Sequence, residues 1–404
     1  MPKLISFIGL LSMIGVAFLL SKDKKNICWR TVLSGVALQL VLGLFILKTD
    51  IGRTIFEGAR TIFTGFLNYT NEGSRFIFGD LVDSKKFGFI FFTMVLPTIL
   101  FMSSFMSILY HIGIMQWVIK ITAKVMVKVM GTSGAESLAA AANIFAGQTE
   151  APLVIKPFIG RMTRSELLAL MTGGMSTVAG GVLAAYVSFG IDAAHLLAAS
   201  VMSAPAALVC AKLLMPESED SVTKGTVSIQ IEKNTANLVD AAASGASEGL
   251  KLALNVAAML LSFIALIALF NGLLGWAGGL AGYPQLSLEL ITGYLFSPVA
   301  WIMGVPWADC MTVGSLLGKK LILNEFVAYL DLAKHLNDLS PRSVVISTYA
   351  LCGFANFSSI AIQVGGIGAL APERRKDLAL LGVRSLIGGT LACLMTACIA
   401  GILI

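Results

Sequence analysis

Apolar runs close to the ~20 residues that a bilayer crossing needs recur along this chain, roughly at 4–20, 32–48, 87–109, 165–187, 193–214, 250–275, 343–369 and 378–403. A chain built this way has few folds open to it. Inside lipid, every backbone amide and carbonyl must find its partner within the protein, and broken backbone survives only where it lines a cavity. Composition excludes the soluble alternative: 56% of the 404 residues are hydrophobic and 13% charged, too little charge to cover a water-exposed surface. The expected fold is an all-α polytopic membrane protein.

Charge placement orients it. The formal net charge is +6, and the basic residues gather in short segments between apolar runs. No basic face interleaved with aromatics appears, so nucleic acid is not an expected partner. The densest early knot is Lys22, Lys24, Lys25 and Arg30, which the positive-inside bias places in the cytoplasm. Lys120, Lys124 and Lys128, then Lys156, Arg161 and Arg164, then Arg374, Arg375 and Lys376 join it on one self-consistent path. That path puts both termini on the outer face of a cell inner (plasma) membrane. It also requires 133–160 to dip in from the cytoplasm and 290–330 from outside, each returning on its own side. Residues 4–20 lack a basic leader and a cleavage site, so a retained span is expected. The six cysteines have neither disulfide nor zinc spacing.

The chain is expected to fall into four regions: 1–84 with the first two spans and an interfacial segment, 85–215 with the third span, the first re-entrant hairpin and the first repeat, a polar cytoplasmic linker at 216–248, and 249–404 with the sixth span, the second hairpin and the second repeat. Residues 51–84 carry Arg53, Glu57, Arg60, Glu72, Arg75 and Asp80 among aromatics and read as interfacial. Residues 113–130 place their three lysines on one stripe, as an amphipathic surface helix would.

Two carboxylates stand where charge is expensive. Glu150 and Glu325 lie within apolar surroundings, and even lenient scales charge about 2.5–3.5 kcal/mol for that placement. Each sits in a small-residue-rich run, Ala139–Pro152 and Val313–Phe326, that then returns through a Ser/Thr- and Arg-bearing turn. A span interrupted by small polar residues follows each: Thr172-Gly-Gly-Met-Ser176-Thr177-Val-Ala-Gly180-Gly181 and Cys352-Gly-Phe354-Ala-Asn356-Phe-Ser358-Ser359. This is an internal repeat, inverted by the charge assignment. Half-helix ends at mid-depth offer free amides and carbonyls to a substrate or an ion. The plain alternative for both glutamates is a structural ion pair with Lys319, Lys320 or Lys156. For Asn143 it is an ordinary interhelical hydrogen bond, and for Gly180-Gly181 close packing. An intramembrane protease would need paired Asp or HExxH, and neither is present; a passive channel would favour a continuous pore. No enzyme is expected.

The strings Gly147-Gln148-Thr149-Glu150-Ala-Pro, Asn324-Glu325-Phe326-Val-Ala-Tyr329 and Gly353-Phe354-Ala-Asn356-Phe-Ser358-Ser359 resemble signatures of the concentrative nucleoside transporter family, with Asn71-Glu72-Gly73 and Phe76-Ile-Phe-Gly79 in support. The resemblance covers essentially the whole chain. It implies a homotrimer of the shorter bacterial form, with eight transmembrane helices, two re-entrant helical hairpins, inverted repeats with broken helices, and interfacial helices. It also implies sodium-coupled uptake of nucleosides such as uridine by an elevator-like displacement, with proton coupling as the alternative. By similarity, Gln148, Thr149, Glu150 and Val182 would face the nucleobase, and Glu325, Asn356 and Ser359 the ribose, with Phe354 nearby. The coupling Na⁺ would be held by the Asn143 side chain, the Ala146 carbonyl, the Thr177 hydroxyl and the Val178 carbonyl; no other cofactor is implied. Retention of Asn143 and Thr177 argues for sodium over protons.

Overall fold

A computed structural model describes residues 2–88, 90–225, 235–280 and 282–404. Those residues are helical throughout, without strands. The helices used below are α1 (Pro2–Leu19), α2 (Trp29–Lys48), α3 (Asp50–Phe78), α4 (Leu96–Ile112), α5 (Ile114–Met130), α6 (Gly134–Asn143), α7 (Arg164–Ser176) and α8 (Gly180–Ser188). They continue with α9 (Ala193–Leu214), α10 (Leu238–Leu280), α11 (Leu288–Ile302), α12 (Cys310–Ile322), α13 (Glu325–Lys334), α14 (Pro341–Leu351), α15 (Phe357–Leu370) and α16 (Arg375–Leu403).

Among the described residues, seven helical stretches are long and apolar enough to cross a membrane. Where a crossing is expected at 343–369 there are two helices, α14 and α15, each too short to count among the seven. Burial sorts the set into centre and periphery. Of their most apolar 18 residues, Arg164–Ser188 and Ala193–Leu214 each bury 89% and Pro372–Leu403 83%, against 11% for Leu238–Leu280 and 28% for Pro2–Leu19. The first three form the core around which the site is built. Helix α10 packs on α4, where the Ser104 hydroxyl donates to the Ala242 carbonyl at 2.9 Å, the polar glue expected between helices in lipid. Its other faces present Leu261, Phe270, Leu273 and Trp276 outward.

The two halves share an order of elements: a helix, a short helix, a return, then a broken span and an unbroken one. In the first half this runs α5, α6, the irregular return 144–159, α7/α8 and α9; in the second, α11, α12, α13, α14/α15 and α16. Amphipathicity explains α5. Met115, Ile119, Ala123, Met126 and Met130 are buried at helical spacing, while Lys120, Lys124 and Lys128 are exposed on the other side. Helix α3 likewise runs continuously through the segment read as interfacial, with Ile51, Ile62 and Phe76 exposed.

Two boundaries differ from the sequence reading. The segment expected to dip at 290–330 holds three helices: α12 and α13 form a hairpin, and α11 precedes them as a separate helix. Helix α10 begins at Leu238, inside the stretch read as linker. Its first turns are rich in Ala, Ser and Gly with Asp240 near the start, helix-competent but not apolar, so hydropathy alone missed them. Residues 226–234 of that linker lie outside the described residues.

The start of α12 is pinned from α14. Ser340 caps that helix, and the Ser340 and Ser343 hydroxyls donate to Asp309 Oδ2 at 2.8 and 2.5 Å, joined by the Ser340 amide at 3.1 Å. Burial would raise the Asp309 carboxyl; these donors hold it below the usual aspartate range.

Candidate functional site

Both broken spans break where the small polar residues lie. Between α7 and α8 the chain is extended, with Thr177 at φ −124°, ψ 170° and Ala179 at φ −68°, ψ 141°. Between α14 and α15 it passes through Gly353 at φ +132°, a left-handed value that disfavours any side chain. A Cβ there would also stand 2.8 Å from the Met175 carbonyl oxygen, so the two breaks press together at this glycine. Helix α15 restarts with Asn356 as its cap, its Oδ1 accepting from the Ser359 amide at 2.9 Å and the Ser358 hydroxyl at 2.7 Å. Helix α13 restarts in the same way, with Asn324 Oδ1 accepting from the Val327 amide at 2.9 Å.

These restarts bring the expected polar residues into one chain of contacts. Asn356 Nδ2 donates to Glu325 Oε2 at 2.9 Å. Gln148 Nε2 donates to Ser359 Oγ at 3.1 Å, and Gln363 Nε2 donates both to Gln148 Oε1 and to the Met171 carbonyl at 3.0 Å. The first returning segment, the turn between α12 and α13, and the second half of the broken span α14/α15 therefore meet at one place. Gln148, Glu325, Asn356 and Ser359 are all buried, whereas Thr149 and Glu150 are exposed. The Gly147 amide donates to Glu150 Oε2 at 3.1 Å, which curls that carboxylate back over the tip. Thr149 lies beside Gly366 of α15, where a Cβ would meet its Cγ2 at 2.9 Å. Val182 is buried in the first turn of α8, and Phe354 is half-buried within the second break.

The ion-pair alternative does not hold for the two glutamates. Among the described residues, neither Glu150 nor Glu325 has a cation within 4 Å. Lys319 pairs with Asp331 at 2.7 Å and Glu289 at 3.4 Å, and Lys320 donates to the Ala350 carbonyl at 2.9 Å, bracing α12 against the last turn of α14.

Asn143, at the end of α6, is fully buried, yet neither of its side-chain polar atoms has a partner. A buried amide left wholly unpaired costs free energy and calls for an explanation such as an ion. Its surroundings have that chemistry. Gly173 of α7 leaves it room, since a Cβ there would stand 3.0 Å from Asn143 Nδ2. The Thr177 hydroxyl donates to the Gly173 carbonyl at 2.9 Å, leaving its lone pairs free. The Gly180 amide bonds the Phe145 carbonyl at 3.0 Å and so ties the tip to the break. With the carbonyls of Ala146 and Val178 outside any helix, the donor set is all oxygen, as a hard cation prefers.

Two residues of this site escaped the sequence reading. Gln363 is the one polar side chain within Ile360–Leu370, a signal that was available. Tyr186 sits on α8, and its hydroxyl donates to Glu325 Oε1 at 3.3 Å; an aromatic in an apolar helix gives no such signal.

Two broken helical segments whose ends meet at a cluster of buried polar side chains, inside an all-helical chain of apolar spans, are the architecture of a membrane transporter. Comparison with known proteins agrees and is specific. Three family profiles match in succession: the Na⁺-dependent nucleoside transporter N-terminus over residues 8–81, nucleoside recognition (Gate) over 92–193, and the Na⁺-dependent nucleoside transporter C-terminus over 195–401. The chain is 49% identical to the transporter YutK of Bacillus subtilis (strain 168) over 100% of both chains. It is 46% identical to solute carrier family 28 member 3 of Homo sapiens over 99% of this chain and 60% of that protein, whose length it therefore only partly spans. The structure of CNTnw in an inward-facing substrate-bound state superposes with a TM-score of 0.94 at 47% identity, covering 100% of this chain and 98% of that one. The chain belongs to the Na⁺-dependent, or concentrative, nucleoside transporter family.

Proposed function

We propose that this protein takes up nucleosides together with a sodium ion, as a homotrimer in the cell inner (plasma) membrane with both termini outside. The observation that carries the coupling is Asn143: a buried, unpartnered amide beside Gly173, one turn before the break at Thr177. Similarity supports the same reading, since a mouse relative 45% identical to this chain is called sodium/nucleoside cotransporter 1.

The geometry supports a role for each residue. Glu325 and Asn356, already bonded to one another, offer a charged acceptor and an amide that can grip vicinal ribose hydroxyls, and Ser359 extends that surface. Gln148, Thr149 and Glu150 on the first tip, with Val182 behind, receive the base. The two sets meet at the 3.1 Å contact between Gln148 and Ser359, so base and ribose would bridge the two repeats. Phe354 packs alongside from the second break. Sodium, held by Asn143, Ala146, Thr177 and Val178, would fix the first tip against α8 and pre-order the base-binding face. By linkage, the factor sodium adds to nucleoside affinity must be returned by nucleoside to sodium affinity. Movement of the buried core against the peripheral α1, α2, α4 and α10, elevator fashion, then exchanges the side of access. Two re-entrant segments entering from opposite faces complete the scheme.

Uridine uptake into proteoliposomes, driven in turn by an imposed Na⁺ gradient and an imposed H⁺ gradient, tests this. Uptake that follows the proton gradient and ignores sodium would assign the coupling to protons.

A further inference from the structure

We propose that Tyr186 is a positioning residue for Glu325: its hydroxyl, from the second half of the first broken span, fixes the carboxylate of the second repeat in the orientation that receives ribose. The inference rests on the reading of Glu325 as the ribose acceptor and deepens it.

A carboxylate has about four lone-pair sites and, when buried, must have them occupied or poised. Glu325 is 5% exposed and is held from two sides: Asn356 Nδ2 on Oε2 at 2.9 Å and the Tyr186 hydroxyl on Oε1 at 3.3 Å. One donor alone would let the group pivot about its terminal torsion. Two donors on opposite oxygens, from α8 and from the cap of α15, fix its plane and leave lone pairs on both oxygens for incoming hydroxyls.

Tyr186 is itself immobilised. Its ring is fully buried and lies 4.3 Å from that of Tyr329 at 30°, with Phe326 5.6 Å away at 63°. The plain reading is that Tyr186 is a core aromatic. Tyr329 shows what that role looks like in the same cluster, for its hydroxyl donates to a backbone carbonyl, that of Thr348, at 2.6 Å. The two tyrosines are equally buried neighbours, yet only the Tyr186 hydroxyl is spent on a group assigned to substrate. Tyr329 is therefore a built-in control.

The experiment uses the full chain in proteoliposomes, with uridine and 2′,3′-dideoxyuridine as competing ligands. The variants are Tyr186→Phe, Tyr329→Phe, Glu325→Gln and the Tyr186→Phe/Glu325→Gln pair. Hydrogen bonds to charged groups are worth up to a hundredfold in affinity, and 3.3 Å is long for O–H···O, so Tyr186→Phe should weaken uridine by roughly three- to tenfold. Dideoxyuridine should change less than about twofold, and in the Glu325→Gln background the Tyr186→Phe effect should vanish, the signature of two groups acting through one another. Tyr329→Phe should lower thermal stability without discriminating between the ligands. Equal weakening of both ligands by Tyr186→Phe, additivity in the pair, or an inert Tyr186→Phe beside a strongly impaired Glu325→Gln would overturn the positioning role alone. A Glu325→Gln variant that binds uridine like the wild type would instead overturn the ribose assignment, and this role with it.

Discussion

Glu325 is the side chain on which most of the chemistry converges, and it has no cation to neutralise it within 4 Å among the described residues. Its carboxylate is instead held by one donor on each oxygen, Asn356 Nδ2 and the Tyr186 hydroxyl. Glu325→Gln keeps the shape but removes the charged acceptor. Uridine affinity should fall by about ten- to a hundredfold, matching the roughly 1.5–3 kcal/mol of a hydrogen bond to a charged group, while the protein still folds. Free uracil should compete poorly against uridine in the wild type; equal competition would refute the ribose clamp. At the ion site, Thr177→Val removes a hydroxyl at nearly constant volume. Half-maximal uridine uptake should then need a higher Na⁺ concentration, with maximal uptake at saturating Na⁺ less affected. Wild-type uridine affinity that is the same in sodium and choline media at fixed pH would count against this site.

At the scale of elements, the breaks carry the function, and Gly353 shows what holds them. Its φ of +132° and the 2.8 Å approach that a Cβ would make to the Met175 carbonyl leave no room for alanine. Gly353→Ala should cost about 1–3 kcal/mol in backbone strain alone and separate the two breaks. A lowered midpoint of thermal unfolding in detergent, together with weakened uridine binding, is expected; a variant as stable as the wild type would show that the breaks do not depend on this contact. Such positions were legible in the sequence as clusters of Gly, Ser, Thr and Asn inside apolar runs, because helix-breaking residues stand out against a uniform background. Glu150 and Glu325 stood out as charges within apolar runs, whereas the ion-site reading of Asn143 and Thr177 came from the family resemblance. Tyr186 was not: what distinguishes it from Tyr329 is the partner of one hydroxyl, a tertiary fact. The early start of α10 and the separate α11 were missed because hydropathy registers lipid contact, not helix.

For the whole molecule, the paired repeats predict opposite access. Single cysteines placed near Arg161 and near Lys334, in a background without the native cysteines, should react with an impermeant thiol reagent from the inside and the outside respectively. Reaction of both from one side would overturn the topology.

One further feature bears on how the molecule can move. Where α6 begins, Ser133 and Glu136 form a capping box, and where α7 begins, Thr163 and Glu166 form another. The Ser133 hydroxyl donates to Glu166, and Lys212 of α9 bridges Glu136 at 2.8 Å, Ser165 at 2.9 Å and Glu217 at 3.1 Å. Arg374 holds the carbonyls of Gly160 and Met162 at 3.1 and 2.6 Å. The segment 133–163 is thus moored at both feet to the buried core, which makes it a fixed wall and a poor door. Its amides at 134–143 should exchange with deuterium as slowly as those of α9, with uridine or without, since they can open only when the whole core does. Fast exchange there, quenched by uridine, would mark it as a gate after all.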